Sequence, residues 1–276
     1  MVVSTPPLVS IITPVYNGSK YLAELIQSVQ EQDYPNIEHL IIDDGSQDNG
    51  ATVEILRKYP HLTWWSHINR GQYATMNTGM QSARGEIICF INADDVISSG
   101  AVSSVVDFLI RYPQYDGVFG IATRIDSQGK PVPYYVPFRS ASIYFHQFFA
   151  HISHCSLYIR KASLLSRALE FDSSLKYVGD YDWIVRVHKQ GLKIGLIRKE
   201  LSKVRLHSEQ ASQKNSSESA MEARQVIALH KINKPLYLFL KTLYKLLFKG
   251  WLLSRILRGD ITGLPPQHWV RKYLGH

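Results

Sequence analysis

The stretch that most constrains this chain is Glu86-Ile87-Ile88-Cys89-Phe90-Ile91-Asn92-Ala93-Asp94-Asp95. The apolar run reads as a buried strand. It stops abruptly at a carboxamide and two adjacent carboxylates. Acids at the carboxyl end of a buried strand stand where open α/β sheets bind ligands. Hard oxygen ligands in that place suit Mg²⁺ or Mn²⁺, and such an ion can hold a diphosphate. A single Asp pair is an ordinary turn feature. Here a second pair, Asp43-Asp44, ends another apolar strand over 37–42.

Around these turns the chain alternates. A strand is predicted over 8–13, a turn over 14–18, and a helix over 20–32 with Leu22, Leu25, Ile26 and Val29 on one face. Then follow a helix over 51–59, a strand over 62–68, a helix over 73–83 and a helix over 101–111. Strands alternating with helices through short crossovers predict a doubly wound, mostly parallel sheet with helices on both faces. Beyond residue 111 the pattern changes. A hairpin over 118–136 turns at Gln128-Gly129, the aromatic and His-rich segment 138–154 has no clear period, helices are predicted over 162–168 and 181–190, and a strand over 193–205. The polar, serine-rich segment 210–219 reads as a linker. The expected organisation is one α/β unit over 1–210, with a nucleotide-binding half over 8–100 and a second half over 101–210. A polar linker and helix (211–230) and a tail (231–276) follow.

A chain of 276 residues with 45% apolar content can build a core without disulfide or metal support. Cys89 lies inside the apolar strand, and neither it nor Cys155 has a Cys-x-x-Cys neighbour, so no zinc or redox site is expected. Two lone cysteines suit a reducing cytoplasm, and residues 1–10 do not look like a secretory signal. The net charge of +8 is concentrated: residues 231–276 hold nine Lys or Arg and one acid, Asp260. Within that tail, residues 236–257 are mostly large apolar side chains with Lys241, Lys245 and Lys249 at four-residue spacing. The cations spoil a spanning segment. A basic helix with an aromatic face suits the plane of a membrane interface, or it packs on the domain behind a solvated lysine stripe. Nucleic-acid binding is disfavoured, since the basic residues sit in an apolar tail without a recognition motif. A dinucleotide-binding oxidoreductase is disfavoured because no Gly-x-Gly-x-x-Gly follows the first strand.

Taken residue by residue, Tyr16 at the first strand end can stack on a base or pack on the next helix. Asp43 and Asp44 can read a base or ribose, or serve as turn and cap residues. Four segments occur in order: Val9-Ser10-Ile11-Ile12-Thr13-Pro14-Val15-Tyr16-Asn17-Gly18; Ile41-Ile42-Asp43-Asp44-Gly45-Ser46; Asn77-Thr78-Gly79 with Ala83-Arg84-Gly85-Glu86; and Ile91-Asn92-Ala93-Asp94-Asp95. Together they closely resemble glycosyltransferase family 2, over about residues 8–100 and more weakly to about 210. The resemblance implies a GT-A fold, a nucleotide-sugar donor, Mn²⁺ or Mg²⁺ as cofactor, and inversion at the anomeric carbon.

Carried over, Thr13, Pro14 and Tyr16 match the turn around the donor base. Asp43 or Asp44 matches the base-binding carboxylate, and the Arg70-Gly71-Gln72 loop lines the nucleotide pocket. Asn92-Ala93-Asp94 holds the Asp-x-Asp position, with Asn in place of the first Asp. Asp94 is the expected metal ligand, Asp95 the alternative, and His207 a further candidate after the last strand. Asn92 can still accept from a ribose or coordinate weakly through its carbonyl. Gly179-Asp180-Tyr181-Asp182-Trp183 resembles the acidic motif at a helix start, with Asp180 as catalytic base and Gly179 where the family has Glu. Asp180 as a plain helix cap is the competing assignment, and Asp182 reads as structural. His151 and His154 flank the unassigned segment and either line a sugar pocket or are structural. The expected function is metal-dependent inverting transfer of a sugar to a glycan or polyprenyl-diphosphate-linked acceptor in surface polysaccharide synthesis. The expected place is cytoplasmic, on the anionic inner face of the cell membrane. A non-catalytic nucleotide-sugar binder of the same fold is the alternative.

Overall fold

The computed structural model describes residues 6–132, 146, 152–210, 215–232, 235–240, 242–243 and 246–247. Its first half is a run of alternating elements: β1 (Val9–Val15), α1 (Leu22–Gln30), β2 (Ile37–Asp43), α2 (Ala51–Arg57), β3 (Thr63–Ser66), α3 (Gln72–Ser82) and β4 (Ile87–Phe90). β5 (Val96–Ile97) and α4 (Ala101–Arg111) follow. The second half holds β6 (Gly117–Ile125), β7 (Pro131–Val132), a 3₁₀ turn (His154–Ser156), β8 (Leu157–Arg160), α5 (Lys161–Leu165), α6 (Gly179–Lys189), β9 (Ile194–Arg205) and α7 (Ser216–Leu229).

The strand order is β3-β2-β1-β4-β8-β6-β9-β5, with β7 paired to β6. β3, β2, β1 and β4 run parallel, in registers that set Val15 beside Asp43 and Ile12 beside Phe90. The turns after β1, β2 and β4 therefore open at one edge of the sheet. Side chains alternate between two cores. Ile12, Leu40, Ile42, Ile88 and Phe90 face α3 and the Trp183 side of α6. Val9, Ile11, Ile87 and Cys89 face α1 and α4. Helix α3 comes unusually close to the sheet: a Cβ on Gly79 would meet Ile12 Cγ2 at 2.4 Å.

At the opposite end of the sheet Glu38 is buried and accepts from Ser10 Oγ (2.5 Å), Arg84 N (2.6 Å), Arg84 Nε (2.9 Å) and Gly85 N (3.1 Å). Burial alone would raise its pKa, but these donors outweigh it and hold the carboxyl below its usual range. The Ala83-Arg84-Gly85-Glu86 motif thus fixes strand register, far from the ligand edge.

The antiparallel strand β8, between β4 and β6, is the main element that the sequence does not predict. Leu157-Tyr158-Ile159-Arg160 is too short to show a period, and its burial comes from neighbours distant in sequence. The hairpin forms at the predicted turn: Gly129 has φ +80°, and Asp126 Oδ1 accepts from Gln128 N and Lys130 N. Its second strand is described only as far as Val132. Helix α7 docks onto the domain with Val226 and Ile232 buried. Most of the predicted amphipathic helix over 236–257, the rest of the tail, and most of 138–154, including His151, lie outside the described residues. Among the described residues no helix is long and apolar enough to cross a membrane.

Candidate active site

The strand ends frame an open cleft of ≈ 700 Å³. On one side lie Pro14 and Tyr16, the latter 47% exposed with its ring available for stacking. Thr13 does not reach the cleft. It is fully buried beneath it, its hydroxyl 3.0 Å from His39 Nε2. Asn17, at φ 52°, ties the first two turns together: its N–H donates to Ser46 Oγ (2.8 Å) and its Oδ1 accepts from Gln47 N (2.7 Å).

The two acids after β2 part company. Asp43 ends the strand and turns back, accepting from Ser46 N (3.1 Å), as a local turn residue does. Asp44 lines the cleft, and its two oxygens accept from Arg70 N (2.7 Å) and Gly71 N (3.0 Å). Of the expected nucleotide loop, Gly71 and Gln72 line the cleft, whereas Arg70 contributes its amide to Asp44 and its side chain is exposed.

After β4 every polar atom of Asn92 is engaged. Its Oδ1 accepts from Gln72 Nε2 (2.8 Å) and His154 Nε2 (3.2 Å), and its Nδ2 donates to Asp95 Oδ2 (3.1 Å). Asn92 lines the cleft, with its amide engaged by Gln72, His154 and Asp95. Ala93 and Asp94 line the cleft, and Asp94 Oδ2 lies 2.8 Å from His207 Nε2. Asp95 points the other way. It is 1% exposed, accepting from Arg205 N (2.9 Å) and from the Cys155 thiol (3.0 Å). Burial, then the neighbouring Asp94 charge, push its pKa up to about 7. Asp95 therefore braces the loop and makes no approach to the cleft. Arg205, also 1% exposed, completes the brace through Asp94 O (2.9 Å), Asp126 O (3.2 Å) and Glu24 Oε2 (2.6 Å).

The donor set fits a divalent cation. Mg²⁺ and Mn²⁺ commonly use one or two protein ligands and complete their shell with phosphate oxygens and water. The 2.8 Å between Asp94 Oδ2 and His207 Nε2 is close to the edge of an octahedron with bonds of ~2.1 Å. Among the described residues no cluster of three such ligands occurs, so a diphosphate would supply much of the shell.

Across the cleft α6 begins at Gly179 and presents Asp180 in its first turn. Asp180 Oδ2 lies 3.1 Å from His154 Nδ1, and Oδ1 lies 3.5 Å from the Tyr73 hydroxyl. Burial would raise the Asp180 pKa, but the hydrogen bond and charge of His154 prevail and lower it. Gly179 has a packing reason, since a Cβ there would sit 2.6 Å from the Tyr73 ring. Asp182 is 2% exposed and held by Arg186 Nε (2.7 Å) and His230 Nε2 (2.7 Å), a structural residue as expected. Behind the helix start Glu222 of α7 accepts from Lys176 N (2.7 Å), Tyr177 N (2.7 Å) and Val178 N (2.8 Å). Tyr73, Lys176 and Tyr177 escape a sequence-only view; they carry no motif and reach the cleft through tertiary contacts, the Glu222 hydrogen bonds among them.

A mostly parallel sheet whose strand ends gather an exposed tyrosine, a buried carboxylate and an Asp–His pair, with an acid at a facing helix start, has the architecture of the GT-A fold. The chain belongs to glycosyl transferase family 2, whose family model matches residues 10–169. An uncharacterised glycosyltransferase of Rickettsia felis is 31% identical over 222 residues, covering 76% of this chain and 36% of that protein. The chain thus spans about a third of the length of the first curated relatives it matches. TuaG of Bacillus subtilis, named for teichuronic acid biosynthesis, is 31% identical over 110 residues, or 38% of this chain and 43% of that protein. The structure of S. aureus TarS 1-349 with UDP-GlcNAc aligns at TM-score 0.65 and 22% identity, covering 82% of this chain and 67% of that one. The mannosyltransferase PcManGT of Pyrobaculum calidifontis, bound to GDP-Man and Mn²⁺, aligns at 0.54 and 21%, covering 72% of this chain and 57% of that one. At these identities the structural likeness shows the fold alone.

Proposed function

We propose that this chain transfers a sugar, with inversion, from a nucleoside diphosphate to a hydroxyl of a glycan or lipid-linked acceptor in surface polysaccharide synthesis. One observation carries the proposal: the Asp94–His207 pair and Asp180 line the same cleft from different elements. Tyr16 would stack on the base and Asp44 accept from one of its N–H groups. Asp94 and His207 would hold a divalent ion, which when bound neutralises charge on the departing diphosphate. The acceptor oxygen forms a bond to the anomeric carbon as the bond to the β-phosphate oxygen breaks. Asp180 takes the hydroxyl proton, and the nucleoside diphosphate leaves. Ligands named for the structural neighbours, UDP-GlcNAc and GDP-Man, support a nucleotide-sugar donor. Asn92 has a hydrogen-bonding reason and Gly179 a packing reason, so these departures do not by themselves argue for the non-catalytic binder.

A panel of UDP-, GDP- and dTDP-sugars with Mn²⁺ tests the assignment. At a hundred times Kd a ligand adds about 2.7 kcal/mol, or roughly 5–10 °C in Tm for a domain of this size. The correct base raises Tm, releases its diphosphate slowly, and loses both effects in EDTA. Equal binding in EDTA removes the metal role, and no nucleotide binding at all removes the proposal.

The tail supports peripheral attachment to an anionic membrane through its lysines and apolar residues. Charge reversal at Lys241, Lys245 and Lys249 should abolish sedimentation with phosphatidylserine vesicles and leave the nucleotide-induced Tm shift unchanged. Each cation contributes about 1 kcal/mol near such a surface. Unaltered sedimentation of the triple variant counts against the tail as a membrane anchor.

A further inference from the structure

Asn92 and Gly179, the two departures from the family pattern, meet in one group of side chains around His154. The His154 imidazole is 7% exposed and sits on the 3₁₀ turn leading into β8, in the middle of the sheet. Its Nε2 faces Asn92 Oδ1 at 3.2 Å and its Nδ1 faces Asp180 Oδ2 at 3.1 Å. The Asn92 amide is oriented by its other partners, because Gln72 Nε2 donates to Oδ1 and Nδ2 donates to Asp95. With the amide in that orientation both ring nitrogens face acceptor oxygens, an arrangement that favours the imidazolium; Cys155 Sγ also lies 3.4 Å from Nε2. An aspartate at position 92 would set a carboxylate oxygen against Asp95, where Asn92 supplies a donor.

We infer that His154 is the positioning residue for Asp180, an inference that rests on the role of Asp180 proposed above. Anchored on Asn92, the imidazolium grips Asp180 Oδ2 and leaves Oδ1 toward the acceptor. The Tyr73 hydroxyl, 3.5 Å from Oδ1, is at the limit of a hydrogen bond and guides that oxygen without capturing it. Gly179 makes this possible by leaving room for the Tyr73 ring. The Asn at the Asp-x-Asp position is then a connector between the diphosphate side of the cleft and the base side. Charge agrees with the geometry. Burial presses the His154 pKa down, but Asp180 first, then Asp95 and Asp94, raise it overall. The groups facing Asp180 are His154, the Tyr73 hydroxyl and the Tyr181 amide, with His146 contributing its charge.

The test compares full-length wild type, His154→Gln and His154→Ala, using UDP, GDP and dTDP with Mn²⁺ for binding and the turned-over nucleotide sugar for kinetics. The expected result is a kcat about ten- to hundredfold lower, with donor KM and diphosphate affinity within about threefold. Gln should lose less than Ala, since it can still donate one hydrogen bond. Removing the cation raises the Asp180 pKa, so the acidic limb of kcat should move to higher pH in both variants. If the Ala variant does not fold, the Gln variant alone decides. A ¹⁵N-histidine spectrum adds a readout independent of turnover: His154 should be imidazolium at pH 7 and become neutral in Asp180→Asn. Wild-type kcat with an unmoved limb in His154→Gln overturns the inference. So does an equal loss of kcat and diphosphate affinity, or a ring that ignores Asp180→Asn. A wild-type protein that turns over no nucleotide sugar but shows the coupled imidazolium overturns the transferase proposal instead.

Discussion

Asp180→Asn should lower sugar transfer by about 10²–10⁴ and leave nucleoside-diphosphate affinity within about twofold. Asparagine fills the same space but accepts no proton, and a base acts on the acceptor in the transition state, so donor binding is spared. The lowered pKa of Asp180 fixes the pH behaviour. The carboxylate stays ionised through neutral pH, and activity falls only as pH drops below the usual carboxylate range. A more basic group would give an earlier fall. Steady-state rates and a diphosphate titration on the same samples separate the two effects. Asp182→Asn is the control. Its carboxylate is 2% exposed and holds the half-buried Arg186 and His230, so the substitution should cost stability, on the order of 1–3 kcal/mol, with kcat per folded molecule retained. Wild-type turnover in Asp180→Asn sinks the assignment of the base.

Asp94→Ala should remove the whole metal-dependent part of nucleoside-diphosphate binding, measured by calorimetry with and without Mn²⁺. His207→Ala should weaken it less, by about ten- to hundredfold, since water can take the place of a neutral ligand. The difference follows from charge: Asp94 brings the only full negative charge in the pair, while His207 brings a lone pair. Asp95→Asn separates the candidates. With Asp95 bound to Arg205 N and the Cys155 thiol, its loss should loosen the β4–β5 turn and lower Tm while the metal-dependent increment remains. Unchanged Mn²⁺ dependence in Asp94→Ala moves the site elsewhere.

Much of the fold could be read locally. The strand ends at Asp43 and Asn92, the helical face Leu22-Leu25-Ile26-Val29 and the turn at Gly129 each announce themselves within a dozen residues. Asp94 and His207 were nameable from motif positions, although only the fold brings them to 2.8 Å across 113 residues. What stayed hidden depends on contacts between distant segments. Which of Asp43 and Asp44 faces the cleft depends on amides of residues 70 and 71. The burial of Thr13 and the inward turn of Asp95 depend on packing that no spacing records. Strand β8 is four residues whose partners, β4 and β6, are far away in the chain. His154 was visible as a histidine near an aromatic segment. Its role follows from Asn92 and Asp180, 62 and 26 residues away.

The grip of Glu222 on the amides of residues 176–178 gives the protein an order of assembly as it is synthesised. The parallel strands β1 to β4 and the contacts of Asp44 with residues 70 and 71 are contained within the first ninety residues. The start of α6 is different. Its preceding loop lacks its acceptor until Glu222 has emerged, and Asp182 lacks one of its two partners until His230 has. The start of α6 therefore reaches its final form only once α7 is present, later than the contacts that hold Asp44.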